Sequence, residues 1–135
     1  MNELKVVLVD DNEIFRNALK NIIIKEYNAE IIGEASNSFE FEALQNYSKA
    51  DIIFMDLMMP GTNGIALTKK VLWQYSYLKI IAVTMHVDKI YLNLLISAGF
   101  KGCINKGNLF NQIKPALEAV MSGNYFFPGH IPVTK

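Results

Sequence analysis

The chain has 135 residues, 51% hydrophobic and 19% charged, which fits one domain with a single sizeable core and excludes a disordered or low-complexity protein. Its apolar runs are too short to span a bilayer and its first residues lack the marks of a signal peptide, so a cytoplasmic protein with no membrane association is expected. Thirteen basic residues balance thirteen acidic ones without a Lys/Arg cluster, which argues against direct nucleic-acid binding, and a lone cysteine, Cys103, excludes an internal disulfide or a cysteine-based metal site.

The first run, KVVLV (5–9), is apolar, rich in β-branched residues and too short for a helix, so it reads as a strand buried on both faces. It ends in two adjacent acids, Asp10 and Asp11, followed by Asn12. Any of the three can cap the next helix, and that role competes with a chemical one. From Glu13, the residues Phe15, Ala18, Leu19, Ile22 and Ile23 recur at helical spacing, leaving Arg16, Lys20 and Lys25 on the wet side. EIIGEA (30–35) reads as the second strand, with a helix near 39–45 after it. DIIFM (51–55) is the third strand and ends in Asp56, before a helix over 65–75. KIIAVT (79–84) is the fourth and ends in Thr84, before a helix over 87–98; GCIN (102–105) is the fifth and runs into Lys106. A last helix spans 109–122, and Gly99 and Gly123 stand where C-terminal caps belong. Pro115 is a misfit inside that helix, which therefore either starts late, near Asn111, or kinks. The tail FFPGHIPVTK has two prolines and no periodicity. The expected division is a domain over 1–123 and the start of a linker over 124–135.

Five alternations of strand and helix argue for an α/β domain, a parallel sheet with helices on both faces. In such sheets ligands bind beyond the carboxyl ends of the strands. Those ends carry Asp10 and Asp11, Asp56, Thr84 and Lys106: three acids, a hydroxyl and an amine at one rim. Carboxylates about 4 Å apart repel by roughly 4 kcal/mol at an effective dielectric of about 20, so the acids need a cation or a proton. Magnesium suits them, because it takes oxygen ligands and retains water. Asp56 can then attack a phosphoryl group, with Lys106 and the metal neutralising the equatorial oxygens and Thr84 donating its hydroxyl.

The set VLVDDNEIFR, DIIFMDLMMPGTNG, AVTMH and GFKGCINKG resembles, in order and spacing, the receiver domain of bacterial two-component response regulators, over roughly residues 4–123. The resemblance implies a flavodoxin-like (βα)5 three-layer sandwich with strand order 2-1-3-4-5. It implies Asp56 as phosphoacceptor, Asp11 as a direct ligand of Mg2+ (or Mn2+), Asp10 acting largely through water, and the main-chain carbonyl of Met58 completing the protein's share of the metal shell. Thr84 matches the family's switch hydroxyl and Lys106 its phosphate-binding amine. The partner implied is a sensor histidine kinase, and the chain is expected to be no metabolic enzyme.

Finer features, DLMMPG, TMH and AVMSGNYFFP, look like the NarL/LuxR-type subfamily, in which a receiver precedes a helix-turn-helix domain. On that likeness the chain is a piece of a longer regulator, meets DNA only through an output domain absent here, and pairs with itself on phosphorylation, often through the first and fifth helices. Ile14 and Ile24 lie off the first helix's apolar stripe and could join such a contact. Four positions depart from, or refine, the family pattern. Cys103 stands where many receivers carry an inward-turning aromatic ring, and Phe100 is three residues too early to replace it. Gly107 follows the lysine in place of proline. Met58 and His86 flank the path of hydrolytic water, and a bulky Met58 implies slow self-dephosphorylation.

Three rival readings have their own signatures. A phosphatase of the haloacid-dehalogenase type would carry an acid where Met58 stands. A flavodoxin-like electron carrier would need a Ser/Thr/Gly-rich phosphate loop, where DDNEIF would repel the cofactor. A degenerate receiver, working as a phosphorylation-independent interaction module, would lack some of the acidic, hydroxyl or lysine positions, all of which are present.

Overall fold

The structure, a computed structural model, describes residues 3–85 and 88–127, with only the backbone for 89–90. Five strands alternate with five helices: β1 Leu4–Val9, α1 Glu13–Tyr27, β2 Ala29–Ala35, α2 Ser38–Ala43, β3 Ile52–Asp56, α3 Gly64–Gln74, β4 Ile80–Thr84, α4 Lys89–Ala98, β5 Gly102–Asn105 and α5 Leu109–Met121. The strands pair in parallel in the order β2-β1-β3-β4-β5. That is the expected flavodoxin-like order.

Alternation of side chains along each strand splits the core in two. Val7, Val9, Ile53, Met55, Ile80, Ala82 and Cys103 face one way and pack under α2, α3 and α4 with Phe41, Leu67, Leu92 and Leu95. Val6, Leu8, Ile52, Phe54, Ile81, Val83 and Ile104 face the other way, beneath Leu19 and Ile23 of α1 and Ile113, Leu117 and Val120 of α5. Every residue of β3 and β4 is buried because helices cover both faces, which is why these strands read as unbroken apolar runs. Burying each Ile, Val, Phe or Met side chain among them contributes about 1.5–3 kcal/mol.

The structure refines several boundaries. Helix α5 starts at Leu109 behind a short 3-10 turn over Lys106–Asn108, and continues through Pro115. Arg16 and Lys20 do not project freely into water: both turn onto Glu34 of β2, at 2.9 and 2.7 Å. The chain also stays on the domain past Gly123. Phe126 donates its N–H to the Lys101 carbonyl at 3.0 Å and accepts from Cys103 N at 2.8 Å, extending the free edge of β5. A Cβ on Gly102 would lie 2.8 Å from the Phe126 carbonyl oxygen, so this approach requires glycine. His86 and the tail beyond Phe127 lie outside the described residues.

Candidate functional site

Strand order reverses between β1 and β3, and both strands end there in acids. Asn12 settles which residue caps α1: its side chain accepts from Phe15 N at 3.0 Å. Asp10 and Asp11 are thereby left to face the rim. Asp10 is held in place by its own N–H bond to the Ala35 carbonyl at 2.9 Å, while its Oδ1 accepts from Asn12 N at 2.9 Å. Arg16 donates to the Asp10 carbonyl and ties it to Glu34. Burial works against ionising Glu34, yet hydrogen bonds from Lys20 and Arg16 prevail and hold its carboxyl below the ordinary range.

On β3, the residue after Asp56 turns sharply into a two-residue antiparallel ribbon, Met58–Met59 against Thr62–Asn63, with Gly61 at φ 69°. Asn63 then caps α3 by accepting from Ile65 N and Ala66 N at 2.9 and 3.2 Å. Gly64 opens that helix hard against the strand: a Cβ there would lie 2.5 Å from the Asp56 carbonyl oxygen. The glycine thus lets the loop fold back while the Asp56 carboxyl stays pointed at the rim.

Asp10, Asp11 and Asp56 each offer an oxygen within 4.8 Å of the others. Asp10 and Asp56 are buried and Asp11 is exposed, so the group has a dry side and a wet one. Lys106 reaches in from the turn after β5, its Nζ 3.0 Å from Asp10 Oδ2 and 3.4 Å from Asp56 Oδ2, with the Phe15 ring 4.7 Å beneath it. Asn105 steadies this turn, its side chain accepting from Gly107 N at 2.8 Å while its own N–H donates to Gln112. Asp56 Oδ1 accepts from Met58 N at 3.2 Å, whereas its buried Oδ2 accepts no hydrogen bond. Burial, and after it the neighbouring Asp10 charge, pushes the Asp56 carboxyl up to about 7, against the pull of the Met58 N–H and Lys106.

Four of the five side chains singled out in the sequence, Asp10, Asp11, Asp56 and Lys106, therefore fall at one rim, and Thr84 joins them from the end of β4, one residue beyond Val83, which pairs with Asp56. Met58 leaves its side chain 63% exposed at the mouth. Cys103 is fully buried in the core, and burial pushes its thiol up to about 12, which leaves it inert at neutral pH. Tyr91 was not legible as a site residue. It stands in the first turn of α4, its ring packed on the core cluster that contains Leu57 and Cys103, and burial, then the neighbouring Cys103 and Asp56, pushes its phenol above the ordinary range. The only hint was its position three residues after Asp88, which caps the helix.

The donor set fits a hard divalent cation: it offers only oxygens, includes one buried oxygen without a hydrogen-bond donor, and opens on the Asp11 side to water.

This fold with an acidic rim defines a class. The chain belongs to the response regulator receiver domain family, whose model matches residues 6–118. Receiver domains bind Mg2+ at an acidic pocket of this kind and are partnered with histidine kinases. The chain is 28% identical over 128 residues to the response regulator UvrY of Escherichia coli K12, covering 95% of this chain and 59% of that protein. It is similar at TM-score 0.85 and 26% identity to a LuxR-family two-component response regulator from Aurantimonas sp. SI85-9A1, covering 93% of this chain and 90% of that one. It is also similar, at TM-score 0.80 and 25% identity over 94% of both chains, to the isolated REC domain of RcsB from Salmonella enterica serovar Typhimurium in the presence of the phosphomimetic BeF3−. The chain spans little more than half the length of the curated relatives it matches. Among the described residues no helix is long and apolar enough to cross a membrane.

Proposed function

We propose that this receiver domain is a phosphorylation switch in which Asp56 accepts a phosphoryl group from the phosphohistidine of a sensor kinase. The observation that carries the reading is the Asp56 Oδ2 atom: buried, without a hydrogen bond, and facing Lys106 Nζ at 3.4 Å. As that oxygen forms its bond to phosphorus, the bond from phosphorus to the imidazole nitrogen breaks, its electron pair going to that nitrogen, and the ring, which carries a proton on its other nitrogen, leaves as neutral imidazole. Lys106 exchanges part of its attraction to Asp10 and Asp56 for the incoming phosphoryl oxygens, and Thr84 donates its hydroxyl to another. Asp11, Asp56 and the Met58 carbonyl are the residues to hold Mg2+ or Mn2+, with Asp10 acting through water. When bound, the ion offsets the carboxylate repulsion and the charge on the transferring group.

On this reading the chain is no metabolic enzyme but a cytoplasmic module whose output lies elsewhere in a longer regulator, a DNA-binding domain after a linker that begins near 124. A 370 Å3 groove between α1 and α5, lined by Ile22, Phe110 and Ile113, together with exposed Ile14 and Ile24 on α1, supports a phosphorylation-linked homodimer through those helices. Incubation with acetyl phosphate and Mg2+ tests the reading. Intact mass is expected to show one added phosphoryl group, lost in Asp56→Asn and in chelator. No addition would leave a degenerate receiver that acts only as an interaction module.

A further inference from the structure

A cation beside the acidic rim is turned away from it. Arg16 lies near the start of α1, one turn before Lys20, on the side of the helix that meets β2. Its guanidinium is shared between two acceptors: Nε donates to Glu34 Oε1 at 2.9 Å, and Nη1 donates to the main-chain carbonyl of Asp10. Among the described residues it makes no ion pair with the carboxylates of Asp10, Asp11 or Asp56, although it bonds the backbone of one of them. That preference calls for a cause, because a guanidinium bonds a carboxylate about twice as strongly as a neutral group. Glu34 supplies the cause. It stands on edge strand β2, one residue before Ala35, whose carbonyl accepts the Asp10 N–H. Both of its oxygens are taken, Oε1 by Arg16 and Oε2 by Lys20 at 2.7 Å. The Arg16 and Glu34 side chains are only 15% and 30% exposed, so the pair is sheltered from the screening that weakens surface contacts.

At the rim itself three carboxylates face one ammonium, Lys106, and the negative charge left over is what attracts a divalent ion. A second cation there would neutralise part of that charge, and its fork of donors would occupy oxygens that the metal needs. We propose that Glu34 is a positioning residue for the cation site: it holds Arg16 on the Asp10 carbonyl, where the guanidinium steadies the end of β1, and so keeps that guanidinium off the carboxylates of Asp10, Asp11 and Asp56. Lys20, bound to the other oxygen, fixes the orientation of the Glu34 carboxylate. This inference rests on the three acids being the cation site of the proposed phosphorylation switch. It adds that metal affinity is set from outside the site, by an acid on the edge strand.

The test measures Mg2+ binding to the full chain by titration calorimetry in wild type, Glu34→Gln, Arg16→Met and the double variant, with phosphoryl uptake from acetyl phosphate as a second readout. Gln keeps the size of Glu34 without its charge, so E34Q is expected to release Arg16 toward the acids and bind Mg2+ roughly tenfold more weakly, the scale of one charge-assisted hydrogen bond. Its phosphoryl uptake is expected to fall at limiting Mg2+ and to recover at saturating Mg2+. Met keeps the apolar stem of Arg16 and removes the competing cation. Arg16→Met is therefore expected to bind Mg2+ at least as tightly as wild type, and to restore that affinity in the E34Q chain. An equal loss in E34Q with and without Arg16 is what a merely structural Glu34 would give, and it overturns the proposal. A loss of Mg2+ affinity in Arg16→Met alone also overturns it, and that variant carries the test if E34Q does not fold. A wild type that binds no Mg2+ defeats the parent reading and this inference with it, whereas equal Mg2+ binding in wild type and E34Q defeats the Glu34 role alone.

Discussion

At the scale of single residues, the site is built from groups that fit poorly with one another until a cation or phosphoryl group arrives. Asp56 shows this most clearly, since its carboxyl is pushed up to about 7 by burial and by Asp10. A folded-state value raised above the ordinary 3.8 means that the native chain binds a proton more tightly than the unfolded one. Without metal, stability is therefore greatest below about pH 4 as far as this group is concerned, falls as pH rises toward 7, and carries the full penalty above it. Replacing Asp56 by Asn removes the penalty. Denaturant unfolding in chelator is expected to find Asp56→Asn more stable than wild type by roughly 2–4 kcal/mol at pH 8, with the gap closing toward pH 4. Equal stability at both pH values would show that Lys106 already neutralises the pair.

The elements matter because they aim these side chains. The strand-to-helix connections do most of the aiming: Asn12 relieves the two acids of capping, and Gly64 lets α3 begin within contact of the Asp56 carbonyl. Gly64→Ala brings a methyl group to 2.5 Å from that backbone oxygen. It is expected to destabilise the fold by about 1–3 kcal/mol, as overpacking does, and to slow phosphoryl uptake by displacing Asp56. Thermal unfolding together with the acetyl phosphate assay checks both effects; normal stability with normal uptake would mean the loop has slack the packing does not reveal. Strands and helices were legible because both core faces are apolar at period 2 and the helices carry a clear stripe. Arg16 was less legible, since spacing alone places it on the wet face, while its long stem lets it curl back to Glu34 and the Asp10 carbonyl. The contact of Phe126 with β5 was not legible for a related reason: it is a single bridge, too short to leave any periodic signal.

For the molecule as a whole, the rim residues could be found from sequence because a parallel sheet brings every strand's carboxyl end to one edge. Reading where each apolar run stops gave Asp10, Asp11, Asp56, Thr84 and Lys106 directly. Tyr91 escaped because it enters from a helix, whose register against the sheet no run of residues records. The same architecture makes cation binding a property of the native fold alone: the three carboxylates converge only when β1 and β3 are paired. An ion held there must then stabilise the chain in proportion to its concentration over its dissociation constant. Equilibrium unfolding at pH 7.5, with and without millimolar Mg2+, tests this directly in the wild type, Asp11→Asn and Asp56→Asn. The expected result is a clear Mg2+-dependent rise in the wild-type midpoint that is largely lost in both variants. A wild type indifferent to Mg2+, or variants that gain as much as it does, would contradict a cation site built from these three acids.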